Sequence, residues 1–293
     1  MQLEFSKMHG LGNDFMVLDL VTQLFVPTPE QIRAWSDRHT GVGFDQLLAI
    51  EPPDNPEADF RYRIYNADGT EVEQCGNGAR CAALFVAARQ LSPKRSLLLE
   101  TNTGLITVTR LADGMVEVDM GPPDCTPAVL PFCPDAPGVN PVVHRINTAS
   151  GCADVDAWQI DTSAGPVECM TVSMGNPHAV IFVDNVANAP VAELGQALMV
   201  HPAFPSGVNV GFVQAVDNAF LRLRVFERGV GETRACGTGA CAAAVAARLR
   251  GLTGARVKVS LPGGKVRIAW QGPDHTVKMT GPAALVYQGH IEV

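Results

Sequence analysis

Two short stretches of this 293-residue chain carry the residues that could do chemistry: EQCGNGARC over 73–81 and TRACGTGAC over 233–241. In each, a cysteine (Cys75 or Cys236) precedes Gly-x-Gly and a run rich in alanine, a strong helix former. Glycines there let a bound molecule approach the backbone closely. The first helical turn offers unpaired N–H donors and a partial positive charge, which together hold an anion such as a carboxylate. The same environment favours a thiolate, lowering a cysteine pKa from its free value of about 8.5. A single loop of this kind is commonly no more than tight packing, and the repetition is what points to chemistry. Cys81 and Cys241 fall inside the helices, where cysteine behaves as a small buried apolar residue. Cys125, Cys133, Cys152 and Cys169 sit outside any motif.

The likeness between the two regions extends upstream. Asn66, Gln46 and Asn13 precede Cys75; Glu227, Asn209 and Asn176 precede Cys236 in the same order and at closely matching separations. GLGNDFMVLD at 10–19 corresponds to MGNPHAVIFVD at 174–184, each a Gly-Asn turn opening an apolar strand, and GVGFDQLLAIE at 41–51 corresponds to GVNVGFVQAVD at 207–217. Such a pattern implies duplication, with the polar residues of both halves converging on one cleft. Two thiols on opposite sides of a bound molecule, with two helix mouths gripping its carboxylate, suit inversion at the carbon beside that carboxylate. One thiolate removes the proton from one face and the other thiol delivers a proton to the opposite face. The helix ends stabilise the charge that develops on the carboxylate. The chemistry calls for no cofactor and no metal. No lysine motif points to pyridoxal phosphate, and the cysteine spacings lack the paired pattern of zinc ligands.

The elements that position these groups are legible in outline. Helices are expected at 28–39, with Thr28 as N-cap, Pro29 at N1 and Gln31 at N3, and at 78–90, 188–201 and 238–250. Strands alternate through 96–120 and 256–293, broken by turn chemistry around Asn102-Thr103-Gly104, Ala112-Asp113-Gly114, Pro262-Gly263-Gly264 and Gly272-Pro273-Asp274. The stretch from Gly121 to about Ala157 holds seven prolines and no pattern, and reads as a linker into a second unit. The length exceeds one ordinary core, so two domains are expected, at 1–119 and 120–281. With 22 Lys and Arg against 30 Asp and Glu, a net charge of −8 gives no basic stripe for nucleic acid. The N-terminus lacks a signal-peptide pattern and no apolar run approaches membrane-spanning length, so a soluble, cytoplasmic chain with reduced thiols is expected.

KMHGLGNDF, NADGTEVEQCGNGARC, SMGNPHAV, GVNVGF, ERGVGETRACGTGACAAA and LPGGKVRIAW, in this order, resemble the bacterial diaminopimelate epimerases over nearly the whole chain, though 122–165 carries no motif. The resemblance implies a cofactor-independent isomerase interconverting LL- and meso-diaminopimelate, in lysine biosynthesis and peptidoglycan precursor supply. It implies Cys75 and Cys236 as the acid/base thiols, and backbone amides of Gly76, Asn77, Gly237 and Thr238 around the reacting carboxylate. Asn13, Gln46, Asn66, Asn176, Asn209, Glu227 and Arg228 would bind substrate, Arg228 pairing with the distant carboxylate as a guanidinium can. His178 and Glu227 would tune the thiols. The implied fold is α/β (α+β): two pseudo-symmetric domains, each a curved sheet wrapped around a central helix, with the site between them. The final strand, about 282–293, would return to the first domain, and the expected assembly is a homodimer. Proline racemases and hydroxyproline epimerases share the paired thiols, but Arg228 suits a second carboxylate that proline lacks. A thiol-redox or anion-binding protein, with Cys75 and Cys236 joined on oxidation, is the alternative of another class.

Overall fold

The structure, a computed structural model, describes residues 2–72, 75–148 and 151–293; Glu73 and Gln74 of the first cysteine stretch lie outside the described residues. The chain divides into two compact units, Met1–Asp119 with Thr280–Val293, and Met120–Met279.

The first unit begins with β1 (Gln2–Gly10) and β2 (Asn13–Asp19), followed by α1 (Pro29–Ser36), β3 (Gln46–Glu51), β4 (Phe60–Asn66), the short β5 (Glu71–Val72) and α2 (Gly76–Ala88). It continues through β6 (Ser96–Thr101), β7 (Gly104–Arg110) and β8 (Val116–Asp119). β1 pairs antiparallel with β2, which lies parallel to β3; β3 pairs antiparallel with β4, and β4 lies parallel to β6, which leads antiparallel into β7 and β8. Each parallel step needs a crossover, supplied by α1 for β2 to β3 and by α2 for β4 to β6. Thr28 and Gln31 form the reciprocal capping box that starts α1. The helix stops at Ser36, short of the expected His39, because the Asp37 carboxylate takes the His39 and Thr40 N–H groups into a turn.

The second unit opens with β9 (Val139–Thr148) and β10 (Gly151–Thr162), then β11 (Gly165–Ser173), β12 (Pro177–Phe182), α3 (Val191–Met199), β13 (Asn209–Asp217), β14 (Phe220–Glu227) and β15 (Gly231–Thr233). α4 (Gly237–Leu249), β16 (Arg256–Leu261), β17 (Gly264–Ala269) and β18 (Lys278–Gly281) follow, and β19 (Ala284–Glu292) belongs to the first unit, paired antiparallel with β1. The pairing scheme repeats. β11 is antiparallel to β12, β12 parallel to β13, β13 antiparallel to β14, β14 parallel to β16, and β16 antiparallel to β17. α3 and α4 now supply the crossovers, and β10 lies against β11 as β19 lies against β1.

One expectation is overturned between Gly121 and Ala157. That stretch is not a patternless linker: β9 and β10 form a long antiparallel hairpin in it, from Val139↔Ile160 to Thr148↔Gly151. The seven prolines masked the strand pattern, six of them preceding the hairpin and Pro141 being accommodated within β9. Even the irregular part is anchored, since Leu130 and Phe132 are buried in the core of the second unit, with the Phe132 ring 4.9 Å from Trp158 and 5.1 Å from Phe204.

α2 and α4 are buried on nearly every side, as helices apolar all round must be. α2 packs against β1, β2, β3, β4, β7, β8 and β19, and α4 against β11, β12, β13, β14, β16 and β17. Each unit therefore has one buried crossover helix, with its N-terminal end beside the ends of the strands that carry the polar residues.

Candidate active site

Both helices start at the cysteine. Cys75 is the N-cap of α2 and Cys236 the N-cap of α4, both with extended backbone, so the first turns begin at Gly76 and Gly237, slightly earlier than the sequence pattern indicates. The matched polar residues occupy equivalent places. Asn13 and Asn176 follow Gly12 and Gly175, whose φ of 86° and 88° is the left-handed turn that glycine adopts without steric cost. Gln46 and Asn209 open β3 and β13; Asn66 and Glu227 close β4 and β14.

In the first unit, Cys75 Sγ accepts the Gly78 N–H at 3.4 Å and lies 3.7 Å from Asn13 Oδ1. Asn77 donates its side-chain amide to the same Asn13 oxygen at 3.3 Å, and Gln46 donates to Asn66 Oδ1 at 3.0 Å. Sequence reasoning missed three groups that hold this mouth. Arg80 is fully buried in the second turn of α2 and donates to Asn77 Oδ1 at 2.7 Å, to the Gly76 carbonyl at 3.3 Å and to the Pro282 carbonyl at 3.1 Å. The available signal was one charged residue in an otherwise uncharged helix, GNGARCAALFVAA. Tyr62 donates to the Cys75 carbonyl at 3.2 Å, and a Cβ on Gly78 would lie 2.2 Å from its hydroxyl oxygen. Gly78 is thus glycine because Tyr62 packs on it, a different reason from room for a ligand. The third group is Asp45, bonded to Asn13.

In the second unit, Cys236 Sγ is 3.6 Å from Thr238 Oγ1, and the Glu227 carboxyl acts on the thiol electrostatically. Glu227 accepts a short bond from the Thr233 hydroxyl. Asn176 donates to Thr238 Oγ1 at 3.3 Å, while its own oxygen faces His178 Nε2 at 3.0 Å. Asn209 donates to the Pro177 carbonyl at 3.1 Å and accepts the Arg228 backbone N–H at 2.9 Å. The Arg228 side chain is exposed, with Nη1 on the Ser206 carbonyl at 2.9 Å.

The electrostatics of the second mouth differ from what helix position alone suggests. Burial pushes the Cys236 thiol well above its ordinary pKa, and the Glu227 carboxylate beside it pushes the same way. The Thr238 hydroxyl pulls down without offsetting these, so Cys236 holds its proton. Burial also raises Glu227. His178 is buried and its pKa falls to about 3, first through burial and then through the nearby Arg228 guanidinium, so it is neutral. With Asn176 donating to Thr238, the Asn176 oxygen is left to accept from His178, and the proton sits on Nε2. His178 reaches Cys236 only through Asn176 and Thr238, whereas Glu227 acts on the thiol directly through its charge. Deep in α2, Cys81 is pushed above the usual thiol range by burial, as befits a packing residue. Among the described residues no group of three His, Cys, Asp or Glu side chains comes together as a metal site, and no helix is long and apolar enough to cross a membrane.

Comparison with known proteins gives a consistent result. The family profile of diaminopimelate epimerases matches residues 5–126 and 170–286, leaving out the β9–β10 hairpin. Diaminopimelate epimerases of Azotobacter vinelandii and Stutzerimonas stutzeri are each 53% identical over 293 residues, the full length of both chains. Among solved structures, a hydroxyproline epimerase of Agrobacterium vitis superposes with TM-score 0.66 at 18% identity, covering 99% of this chain and 92% of that one. A PhzF-family phenazine biosynthesis protein of Bacillus anthracis gives TM-score 0.68 at 14% identity over all of both chains. At such identities these two share the fold.

Proposed function

The chain belongs to the diaminopimelate epimerase family, and from that premise we propose that it interconverts LL- and meso-diaminopimelate by proton transfer between Cys75, the α-carbon and Cys236. The observation that carries this reading is the repeated mouth: the same N-cap cysteine on the same buried crossover helix, flanked by polar residues at the same strand ends, in both units. Inversion needs one proton removed from one face and one delivered to the other, so both thiols address a single carbon. The N–H groups of Gly76, Asn77, Gly237 and Thr238 hold its carboxylate and stabilise the charge that builds there. Asn13, Gln46, Asn66, Asn176, Asn209 and Glu227 bind the remaining polar groups, and the exposed Arg228 guanidinium takes the far carboxylate. Cys236, kept protonated by burial and Glu227, is the acid when Cys75 is the base; the roles exchange in the reverse direction. The reaction serves lysine biosynthesis, and we place the enzyme in the cytoplasm as a homodimer.

Reduced protein incubated with LL-diaminopimelate in deuterated water, with no pyridoxal phosphate added, should yield meso product carrying deuterium at one α-carbon. Absence of both product and label would falsify the assignment.

A further inference from the structure

Asn13 presents a particular end of its amide to Cys75. Its oxygen lies toward the sulfur at 3.7 Å and toward Asn77 Nδ2 at 3.3 Å, while its nitrogen donates to Asp45 Oδ2 at 3.1 Å. A carbonyl facing sulfur accepts from the thiol and favours the protonated form; an NH₂ facing it would favour the thiolate. A half-turn of the amide exchanges the two, so whatever fixes the amide fixes the chemistry offered to Cys75.

Asp45 is suited to fix it. An ionised carboxylate only accepts, so it selects the nitrogen end of Asn13. Its other oxygen accepts Arg38 Nη2 at 2.7 Å, and Arg38 also grips both oxygens of Asp14 at 3.0 and 2.8 Å. Asp14 and Asp45 bond each other's backbones as well: Asp14 N–H donates to Asp45 Oδ2 at 3.1 Å, and Asp45 N–H to the Asp14 carbonyl at 3.0 Å. Lys7 donates to Asp14 behind them. From the opposite side, Arg80 occupies Asn77 Oδ1 and leaves Asn77 to offer its NH₂ to the Asn13 oxygen, enforcing the same orientation.

Among the described residues, the second unit has no counterpart to Asp45. The residue before Asn209, in the place Asp45 holds before Gln46, is the fully buried Val208. There the amide of Asn176 is oriented from its oxygen end by His178, so that its nitrogen points toward Thr238. The two asparagines therefore present opposite ends to the two mouths.

The geometry points to Asp45 as a positioning residue that sets the polarity of the Asn13 amide, so that the carbonyl faces Cys75 and holds that sulfur as a thiol until it is called on as a base. The significance of Cys75 rests on the two-thiol reading above. Among the described residues, other titratable groups near Cys75 are Tyr62 on β4 and Arg80 and Cys81 on α2, and the experiment leaves all three in place.

The test is the pH dependence of Cys75 alkylation by iodoacetamide in the reduced protein without substrate, resolved by peptide mass spectrometry. Asp45→Ala removes the acceptor on the nitrogen side and leaves the Asn77 amide as the single restraint on the oxygen side, so the Asn13 amide turns over part of the time and the Cys75 midpoint should fall by about half a unit, roughly a threefold faster reaction below the midpoint. Asp45→Asn keeps an oxygen for the Asn13 nitrogen while losing the charge, and should stay near the wild type. In an Asn13→Ala background, Asp45→Ala should add nothing. An unmoved midpoint in Asp45→Ala, a shift in Asp45→Asn as large as in Asp45→Ala, or a full Asp45 effect without Asn13 would each overturn the proposal. Because no substrate enters, failure here leaves the epimerase reading standing, and failure of epimerisation leaves this result interpretable.

Discussion

Replacing Gly78 by alanine would place a methyl carbon 2.2 Å from the Tyr62 hydroxyl oxygen and 3.1 Å from Leu48 Cδ2. Gly78 lies in the first turn of α2, and Tyr62 is buried and bonded to the Cys75 carbonyl at 3.2 Å, so neither partner can step aside without disturbing the mouth. Overpacking of this kind costs about 1–3 kcal/mol, more than the gain of up to ~1 kcal/mol from removing a helical glycine. Tyr62→Phe alone should cost about 1 kcal/mol for one hydrogen bond. Combined, the two changes should cost less than their sum, because the oxygen that clashes with the methyl is gone; a coupling of about 1–2 kcal/mol is expected for residues in direct contact. Urea denaturation of the four proteins measures the cycle, and iodoacetamide labelling of Cys75 in each reports whether the mouth recovers with stability. If Gly78 were glycine to admit a ligand instead, Gly78→Ala would leave stability intact, raise KM, and gain nothing from Tyr62→Phe. An additive cycle or a stable single variant would refute the packing argument.

Three further expectations follow from the geometry. Glu227→Gln removes the charge that helps hold the proton on Cys236, so the alkaline limb of the kcat/KM–pH profile should move to lower pH; an unmoved limb would deny Glu227 its part. His178 has a folded pKa of about 3 against 6.5 when exposed, so the unfolded chain binds the extra proton and stability falls as pH drops through that window. From pH 6.5 to 5 the loss is about 2 kcal/mol, and His178→Gln should flatten the slope in urea titrations across that range. Cys81→Ser should retain turnover at some cost in stability, whereas Cys75→Ser and Cys236→Ser should each lose nearly all turnover with little change in urea midpoint; equal losses of turnover at all three would mark the thiols as structural.

The placement of much of the candidate site was legible because the two halves of the sequence repeat both residue types and spacing. The Gly-Asn turns, the residues at strand ends and the N-cap cysteines all fall where that repetition places them. What was not legible depends on contacts between residues far apart in the chain. Tyr62 against Gly78, Asp45 against Asn13 and Arg80 on the Pro282 carbonyl leave no periodic mark. The Cys236 pKa moves opposite to the direction inferred from the helix end because burial and the neighbouring Glu227 carboxylate both raise it, and burial of one sulfur cannot be counted from sequence. The β9–β10 hairpin hid behind prolines that read as linker, although Leu130 and Phe132 anchor even that part to the core.

The central claim is that two thiols serve two faces of one carbon, and early isotope distribution tests it most directly. Starting from pure LL-diaminopimelate in deuterated water, the account predicts deuterium at the inverted carbon of the first meso product while the recovered LL substrate keeps its protium. A single base exchanging one face would instead label recovered substrate as fast as product, and that result would contradict it.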